Sequence, residues 1–445
     1  MPVTNRFTHA GLSQSTNALS RRGFLQVGAI PGLGIGLADL LRGQASATGS
    51  AHAPKAKSVI LVWLQGGVSH HDTFDMKPDA PTEIRGPFQP MATRLSGVHV
   101  CEHLPEMARR MDRLTVLRSL THGESAHHRG TRQMLTFRQP VSAGRKPTDH
   151  PDLASIVVHE LGTRAKIPPY VVLEDRGTFT SREGLYATGF LPRDVGPYYS
   201  YDWDTFETSR IVAERLRHRT SLLTQFNASL PAGLTELNDF KMVDRYTEQA
   251  IDLLRSNAAA DAFRIDKEPQ KVRDRYNVSD KASSYFLIAR RLIEAGVRFV
   301  TIGQSGWDHH SNVFPALTSR LPRTDRAFCA LIDDLDQRSL LDETLVIWMT
   351  EFGRTPRINA DKGRDHWPQV FSIAMTGGGV RRGQVIGASD AIGSEVADRP
   401  ITPPELAATI LQLLGISPRA EYIGQDRRPI PLIEGNARPI AELIT

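Results

Sequence analysis

Cysteine is scarce in this sequence, with two residues among 445. Cys101 and Cys329 form no C-x-x-C pair, so a disulfide scaffold is excluded and at most one bridge can form. A stable membrane span is also excluded, because the apolar stretch at residues 27–41 is interrupted by Pro31 and by glycines. The glycine triplet at residues 377–379 lacks the lysine and the spacing of a phosphate loop, so a tight turn is expected there.

The N-terminus has the features of an export signal rather than of a folded domain. Residues 20–25 read SRRGFL, the twin-arginine pattern, and a mildly apolar segment and an A-x-A cleavage site at residues 45–47 follow. The alternative is a short amphipathic helix that begins with two arginines. We predict a twin-arginine signal peptide at residues 1–47, recognised by the twin-arginine export machinery, and a periplasmic or extracellular mature protein.

The remaining chain is globular and close to neutral. Cleavage after Ala47 would remove four arginines and one aspartate, which lowers the net charge from +5 to +2. A basic surface for nucleic acid is therefore not expected.

Apolar runs that alternate with helical patterns predict an α/β fold with a largely parallel sheet covered on both sides. Strands are predicted at residues 59–64, 114–117, 170–173, 298–302, 344–349 and 371–375. Helices are predicted at residues 102–113, 152–161, 283–295 and 323–338, among others. Between residues 176 and 260 the pattern becomes irregular, which predicts a cap inserted into a catalytic domain at residues 48–445.

Eight of the fifteen histidines fall in four clusters, each at the predicted carboxyl end of a strand. They are His70 and His71, then His122, His127 and His128, then His309 and His310, and finally His366. Carboxylates stand in the same loops, namely Asp72, Asp308, Glu351 and Asp365. Imidazole and carboxylate groups together are typical ligands of divalent metals, so we predict a site for one or two ions, with zinc, calcium or manganese expected.

Six residues are the predicted metal ligands: His70, Asp72, Asp308, His310, Glu351 and His366. The alternation in Asp308-x-His310 lets both side chains point the same way from an extended loop, so His71 and His309 are expected to point away. The simpler alternative for any one histidine is a hydrogen-bonded surface residue. A copper or redox-active iron site for oxidation stays open at this point.

Two arginines are candidate catalytic residues beside the predicted ligands. Arg354 and Arg364 could bind a phosphate or sulfate group in a bidentate manner. Either could instead pair with Asp361, Asp365 or Glu351.

Several motifs resemble a bacterial family known as domain of unknown function 1501. They read GGVSHHDTFDMKPDAP from residue 66, GWDHHSNVF from residue 306, TEFGRTPRIN from residue 350 and GRDHWPQVFSIAMTGGG from residue 363. That family is distantly similar to the alkaline phosphatase and sulfatase superfamily. The resemblance implies a three-layer α/β/α sandwich with a largely parallel, mixed sheet and a one- or two-metal esterase site.

The sequence departs from that superfamily at three places. Glu351-Phe352 stands where an Asp-His pair is expected, and no Cys-x-Pro-x-Arg sulfatase motif is present. The nucleophile position falls between Ser125 and His128, which leaves three alternatives: Ser125, His127 as nucleophile or metal ligand, and a metal-bound hydroxide without a covalent intermediate.

The sequence thus predicts an exported metal-dependent hydrolase that acts on a phosphate or sulfate ester of a small molecule or polysaccharide. The alternative is a catalytically degenerate carbohydrate- or surface-binding protein of the same fold.

Overall fold

The computed structural model describes residues 54–140, 150–165, 167–175, 178–200, 261–423 and 428–444. The predicted signal peptide lies outside these residues. The strands are β1 (Ser58–Leu64), β2 (Pro90–Ala92), β3 (His99–Cys101), β4 (Thr115–Leu120), β5 (Tyr170–Leu173), β6 (Tyr198–Ser200), β7 (Phe299–Gln304), β8 (Thr344–Met349), β9 (Gly353–Arg354), β10 (His366–Trp367), β11 (Phe371–Thr376), β12 (Gln384–Ile386), β13 (Ala388–Ser389), β14 (Val396–Asp398), β15 (Glu421–Ile423) and β16 (Pro429–Pro431). The α-helices are α1 (Thr82–Arg85), α2 (Pro105–Arg109), α3 (His127–Thr136), α4 (Leu153–Leu161), α5 (Phe179–Arg182), α6 (Gln270–Tyr276), α7 (Lys281–Glu294), α8 (Val313–Gln337) and α9 (Pro403–Leu413).

An eight-stranded sheet forms the centre, in the order β12-β4-β11-β8-β1-β7-β5-β6. Every neighbouring pair is parallel except the two that involve β11, which runs antiparallel to both β4 and β8. Strand β1 lies in the middle, and all seven of its residues are buried, as its continuous apolar run predicts. The largely parallel, mixed sheet predicted from the sequence is confirmed.

Helices cover both faces of this sheet. Ile60 and Val62 of β1 belong to a hydrophobic cluster with α7 and α8, whereas Val59 and Leu61 belong to a second cluster with α3, α4 and α9. Successive side chains of a strand point to opposite faces, so the two clusters lie on opposite sides of the sheet. The fold is therefore a three-layer α/β/α sandwich.

Two sequence-based boundaries need correction. The helix predicted at residues 102–113 is instead a short helix, α2, followed by a 3-10 turn at Met111–Arg113. Strand β6 falls inside the predicted cap, yet it pairs with β5 at the edge of the central sheet. Residues 201–260 lie outside the described part of the chain, so the cap stays a prediction.

The remaining sequence predictions concern cysteines and membrane spans. Cys101 and Cys329 are both buried and free. Among the described residues, no helix is long and apolar enough to cross a membrane.

Candidate functional site

The candidate site lies at the edge of the sheet where the parallel strands β1, β4, β7 and β8 have their carboxyl ends. Because β11 is antiparallel, its first residue is at the same edge, and the β9–β10 hairpin that precedes it extends from there. Open α/β sheets place their ligand sites at this edge. Gly66 and Gly67, just after β1, have φ angles of +125° and +81°. A Cβ on Gly66 would collide with the backbone of Asp308, so glycine allows the loop after β7 to approach β1 closely.

Four side chains converge there. His127, Asp308, His310 and His366 each offer one ligand atom, and these atoms lie within 4.8 Å of one another. One oxygen of Asp308, Oδ2, is 3.0 Å from His127 Nε2. The other, Oδ1, is 3.0 Å from His310 Nε2 and 3.2 Å from His366 Nε2. The two Nε2 atoms of His310 and His366 are themselves 2.9 Å apart. We call these four residues the histidine cluster.

The other ring nitrogen of each of these histidines has an acceptor. His127 Nδ1 is 2.9 Å from Glu351 Oε1, and His310 Nδ1 is 2.6 Å from Asp365 Oδ1. His366 Nδ1 is 2.7 Å from the carbonyl oxygen of Ser125. An acceptor at Nδ1 keeps a proton there, so Nε2 is the nitrogen that would bind a metal ion once it has lost any proton shared with Asp308. All three imidazoles are therefore oriented with their Nε2 atoms towards one point, as metal-binding histidines are.

The charge of Asp308 is strongly stabilised. Burial opposes ionisation, but hydrogen bonds from His127, His366 and Arg354 outweigh it and keep the pKa of Asp308 well below its ordinary value. Burial would lower the pKa of His127, yet contacts with Asp308 and Glu351 raise it to about 9. Asp308 is thus an ionised carboxylate that attracts cations.

Phe352 packs behind the cluster. Its ring centroid is 4.5 Å from that of His366 and 5.2 Å from that of His127, and the side chain is completely buried. Gly67 and Gly130 leave room for this ring. A Cβ on Gly67 would lie 2.6 Å from a carbon atom of the Phe352 ring, and a Cβ on Gly130 would lie 3.0 Å from another. The apolar ring limits the movement of both imidazoles.

Two predicted ligands are not in the cluster. His70 is buried, with Nε2 2.9 Å from the carbonyl oxygen of Gly393. Asp72 is buried against Arg364, whose Nε and Nη2 donate to it at 2.8 Å and 3.2 Å. The predicted ligand set is corrected at these two positions, because the chain turns at Gly66 and Gly67 and takes both side chains into the interior. His71 and His309 are also outside the cluster.

Glu351 lies beside the cluster rather than in it. This fully buried carboxylate accepts from Gly66 N at 2.7 Å and faces His127 Nδ1, so it orients a candidate ligand instead of being one. Among the other predicted residues, Ser125 is exposed and contributes its backbone carbonyl to His366. His127 has contacts at both ring nitrogens, which places it among the ligands and not as a free nucleophile.

Neither predicted anion-binding arginine is free to bind an ester. Arg354 is 1% exposed and donates to the carbonyl oxygens of Gly66, Gly67 and Arg364 and to Asp308. Arg364 is fully buried and binds Asp72. A contact of either guanidinium with a substrate stays a prediction.

A cleft of about 350 Å³ opens beside the cluster. It is lined by Gln65, Gly66, His127, Asp175, Thr178, Phe179, Ser305, Gly306 and Asp308. Within the described residues this lining has an aromatic face, several hydrogen-bonding groups and no lysine or arginine.

The donor atoms fit a divalent ion. Three imidazole nitrogens and one carboxylate oxygen form a ligand set that zinc and similar metals bind, at about 2.0–2.2 Å from each donor. Donors at that distance from one ion lie within roughly 4 Å of each other, so the cluster, whose donor atoms lie within 4.8 Å of one another, needs only a small inward shift of side chains to bind one ion.

Sequence reasoning missed three contributors: the Asp365 contact to His310, the Ser125 carbonyl and the Phe352 packing. Asp365 had a signal, because it adjoins His366 in a histidine-containing loop. The other two have none, since any residue has a carbonyl and Phe352 is one apolar side chain among many.

Comparisons with known proteins agree with the motifs. The sequence matches no curated protein. Similar solved structures include the lipoteichoic acid synthase LtaP from Listeria monocytogenes, with 9% identity, coverage of 82% of this chain and 74% of that one, and a TM-score of 0.41. An alkaline phosphatase superfamily protein from Vibrio parahaemolyticus has 12% identity, coverage of 82% and 67%, and a TM-score of 0.39. The phosphonate monoester hydrolase from Silicibacter pomeroyi has 10% identity, coverage of 86% and 76%, and a TM-score of 0.35.

TM-scores this low assign neither an activity nor a substrate. The family model described as "Protein of unknown function (DUF1501)" matches residues 56–444, nearly all of the predicted mature chain. The resemblance stated from the motifs is confirmed, and the chain belongs to the DUF1501 family.

Proposed function

We propose that this protein is an exported, metal-dependent hydrolase of a phosphate or sulfate ester. One observation carries the proposal: three Nε2 atoms and the Asp308 carboxylate converge, while each of the three Nδ1 atoms has its own acceptor. Hydrogen-bonded surface histidines have no reason to share this arrangement. The histidine-rich donor set favours zinc over calcium and manganese, which prefer oxygen ligands.

A bound divalent ion would supply charge stabilisation for the ester oxygen and would lower the pKa of a water molecule. The residues of the chain prepare the site for this chemistry. Glu351, Asp365 and the Ser125 carbonyl keep protons on Nδ1 of the three histidines, so that Nε2 stays available. The adjoining cleft, with Phe179 and Thr178, is positioned to bind the alcohol part of the ester.

Direct attack by water fits the site better than a covalent intermediate. His127 has partners at both nitrogens and is not available as a nucleophile. Ser125 remains the one candidate side chain among the predicted nucleophiles. Activity retained in Ser125→Ala would support direct attack, and complete loss with normal metal content would assign Ser125 as the nucleophile.

A second candidate function is an exported carbohydrate- or surface-binding protein. The burial of Arg354 and Arg364 favours it, since neither guanidinium can neutralise the transferred group. Metal content and turnover separate the two functions, because a binding protein would bind ligand without hydrolysing any ester.

The decisive experiment is elemental analysis of protein purified after native export. His310→Ala should lose the metal and all hydrolysis of phosphate and sulfate ester panels, because His310 provides one of the four donors. His309→Ala is the matched control, as its ring is next in sequence and outside the cluster. A wild type without metal, or a His310→Ala variant with full metal content, would refute the assignment.

Export is proposed from the sequence and has its own test. Replacing Arg21 and Arg22 by lysine should retain the precursor in the cytoplasm. Normal export of that variant would contradict twin-arginine transport.

A further inference from the structure

One oxygen of Asp308 has three partners. Oδ1 contacts His310 Nε2, His366 Nε2 and the Arg354 guanidinium, whereas Oδ2 contacts His127. We propose that Arg354 occupies the place of a second cation beside Asp308, so that the site binds one metal ion and not two. This inference rests on the proposed function, and it deepens it by fixing the number of ions.

The number of donors supports one ion. In a two-metal site the ions are about 3.5–4 Å apart, and each needs ligands of its own besides a shared carboxylate. Among the described residues the cluster has four donors, which is the complement of one catalytic ion.

The residues that would serve a second ion are already bound elsewhere. His70 contacts the carbonyl oxygen of Gly393, and Asp72 pairs with Arg364. Glu351 accepts from Gly66 N and contacts His127, and Asp365 contacts His310 Nδ1. The three carboxylates would have to share or leave these contacts to act as ligands, and His70, whose Nδ1 has no partner among the described residues, lies outside the cluster. A second ion would therefore lack ligands of its own.

Arg354 is fixed in its position. Its Nε donates to the carbonyl oxygen of Gly67 at 2.8 Å, its Nη1 donates to that of Arg364 at 2.8 Å, and its Nη2 reaches Gly66 O as well as Asp308. With every nitrogen bound and the side chain 1% exposed, the guanidinium cannot move aside for an ion. Its charge would repel a second dication on Asp308 Oδ1.

Phe352 closes a further approach to the cluster. Its ring is 4.5 Å from that of His366 and has no atom that binds metal. Two of the four donors, His127 and Asp308, line the cleft.

The first test is the metal content of the wild-type chain, exported natively and equilibrated with excess zinc before removal of free metal. We expect one equivalent per chain. Two equivalents would overturn the inference and leave the proposed function intact, whereas no bound metal would remove both.

The second test separates the charge of Arg354 from its structural contacts. Arg354→Gln and Arg354→Lys both lose the planar fork, but only lysine keeps a positive charge beside Asp308. Arg354→Gln should bind zinc about tenfold tighter than Arg354→Lys in chelator competition, because only the lysine retains a charge that repels the ion. Equal or weaker binding by the glutamine variant would show a purely structural role.

Unfolded variants would not leave the inference undecided, since the wild-type stoichiometry alone distinguishes one ion from two.

Discussion

Replacing Asp72 by asparagine should destabilise the protein without removing its metal. Asp72 and Arg364 are both fully buried. The Asp72 carboxylate accepts hydrogen bonds from Arg364 Nε at 2.8 Å, from Arg364 Nη2 at 3.2 Å and from the Ser69 hydroxyl at 2.6 Å. Asparagine retains one oxygen but leaves the Arg364 charge uncompensated in a fully buried site. Breaking a buried ion pair on one side costs about 3–5 kcal/mol.

That cost can be measured by calorimetry. For a folded domain of roughly 400 residues, each kcal/mol shifts the thermal midpoint by about 1.2 °C, so Asp72→Asn should lower it by about 4–6 °C. Elemental analysis of the folded variant should find the wild-type metal content. Asp361→Asn, on an exposed loop, is the control and should change neither quantity. A variant with an unchanged midpoint and no metal would refute this reasoning and restore Asp72 as a ligand.

Three further predictions address the orientation of a ligand, the cleft and the interior. Glu351→Gln weakens the acceptor at His127 Nδ1 and should lower metal affinity about 10–100-fold in chelator competition; unchanged affinity would speak against an orienting role. Phe179→Ala removes the aromatic face of the cleft and should raise KM for an ester substrate about tenfold with kcat little changed, a loss of roughly 1.4 kcal/mol; a fall confined to kcat would contradict it. Burial raises the pKa of Asp325 from 3.8 to about 7, although hydrogen bonds from Glu106 N and Met107 N lower that pKa. Because the folded-state pKa is the higher one, this contribution to stability is complete below about pH 4 and is lost as pH rises through 7, by at most about 4 kcal/mol. Asp325→Asn should flatten that part of the midpoint-against-pH curve, and parallel curves would count against it.

The sequence predicted the central strands well, because buried parallel strands are continuous apolar runs. The predicted bounds of β5 and β8 match the structure to the residue. The helix α8 was predicted to begin at residue 323, but it begins ten residues earlier, since Pro322 is tolerated within it. Tertiary packing outweighs the local preference of proline there.

The site was predicted in part. Asp308, His310 and His366 lie in the cluster because each follows or precedes a strand at the predicted edge. His70 satisfied the same rule and failed, since the direction of a loop depends on backbone angles such as those at Gly66 and Gly67, which sequence spacing does not give. The burial of Arg354 and Glu351 was not predicted for a related reason: burial of a charged side chain depends on its neighbours in space.

The antiparallel course of β11 also affects how the site forms during folding. Because the chain leaves β8 and re-enters the sheet through β11 at the same edge, Glu351, Arg354, Asp365 and His366 come from one short segment. Closing so short a loop costs little conformational entropy, whereas His127 and Asp308 must arrive from remote parts of the chain. A bound ion would act as a cross-link between those three segments, restricting the ends of β4, β7 and β8 much as a covalent bridge would in a chain that has no disulfide among its described residues.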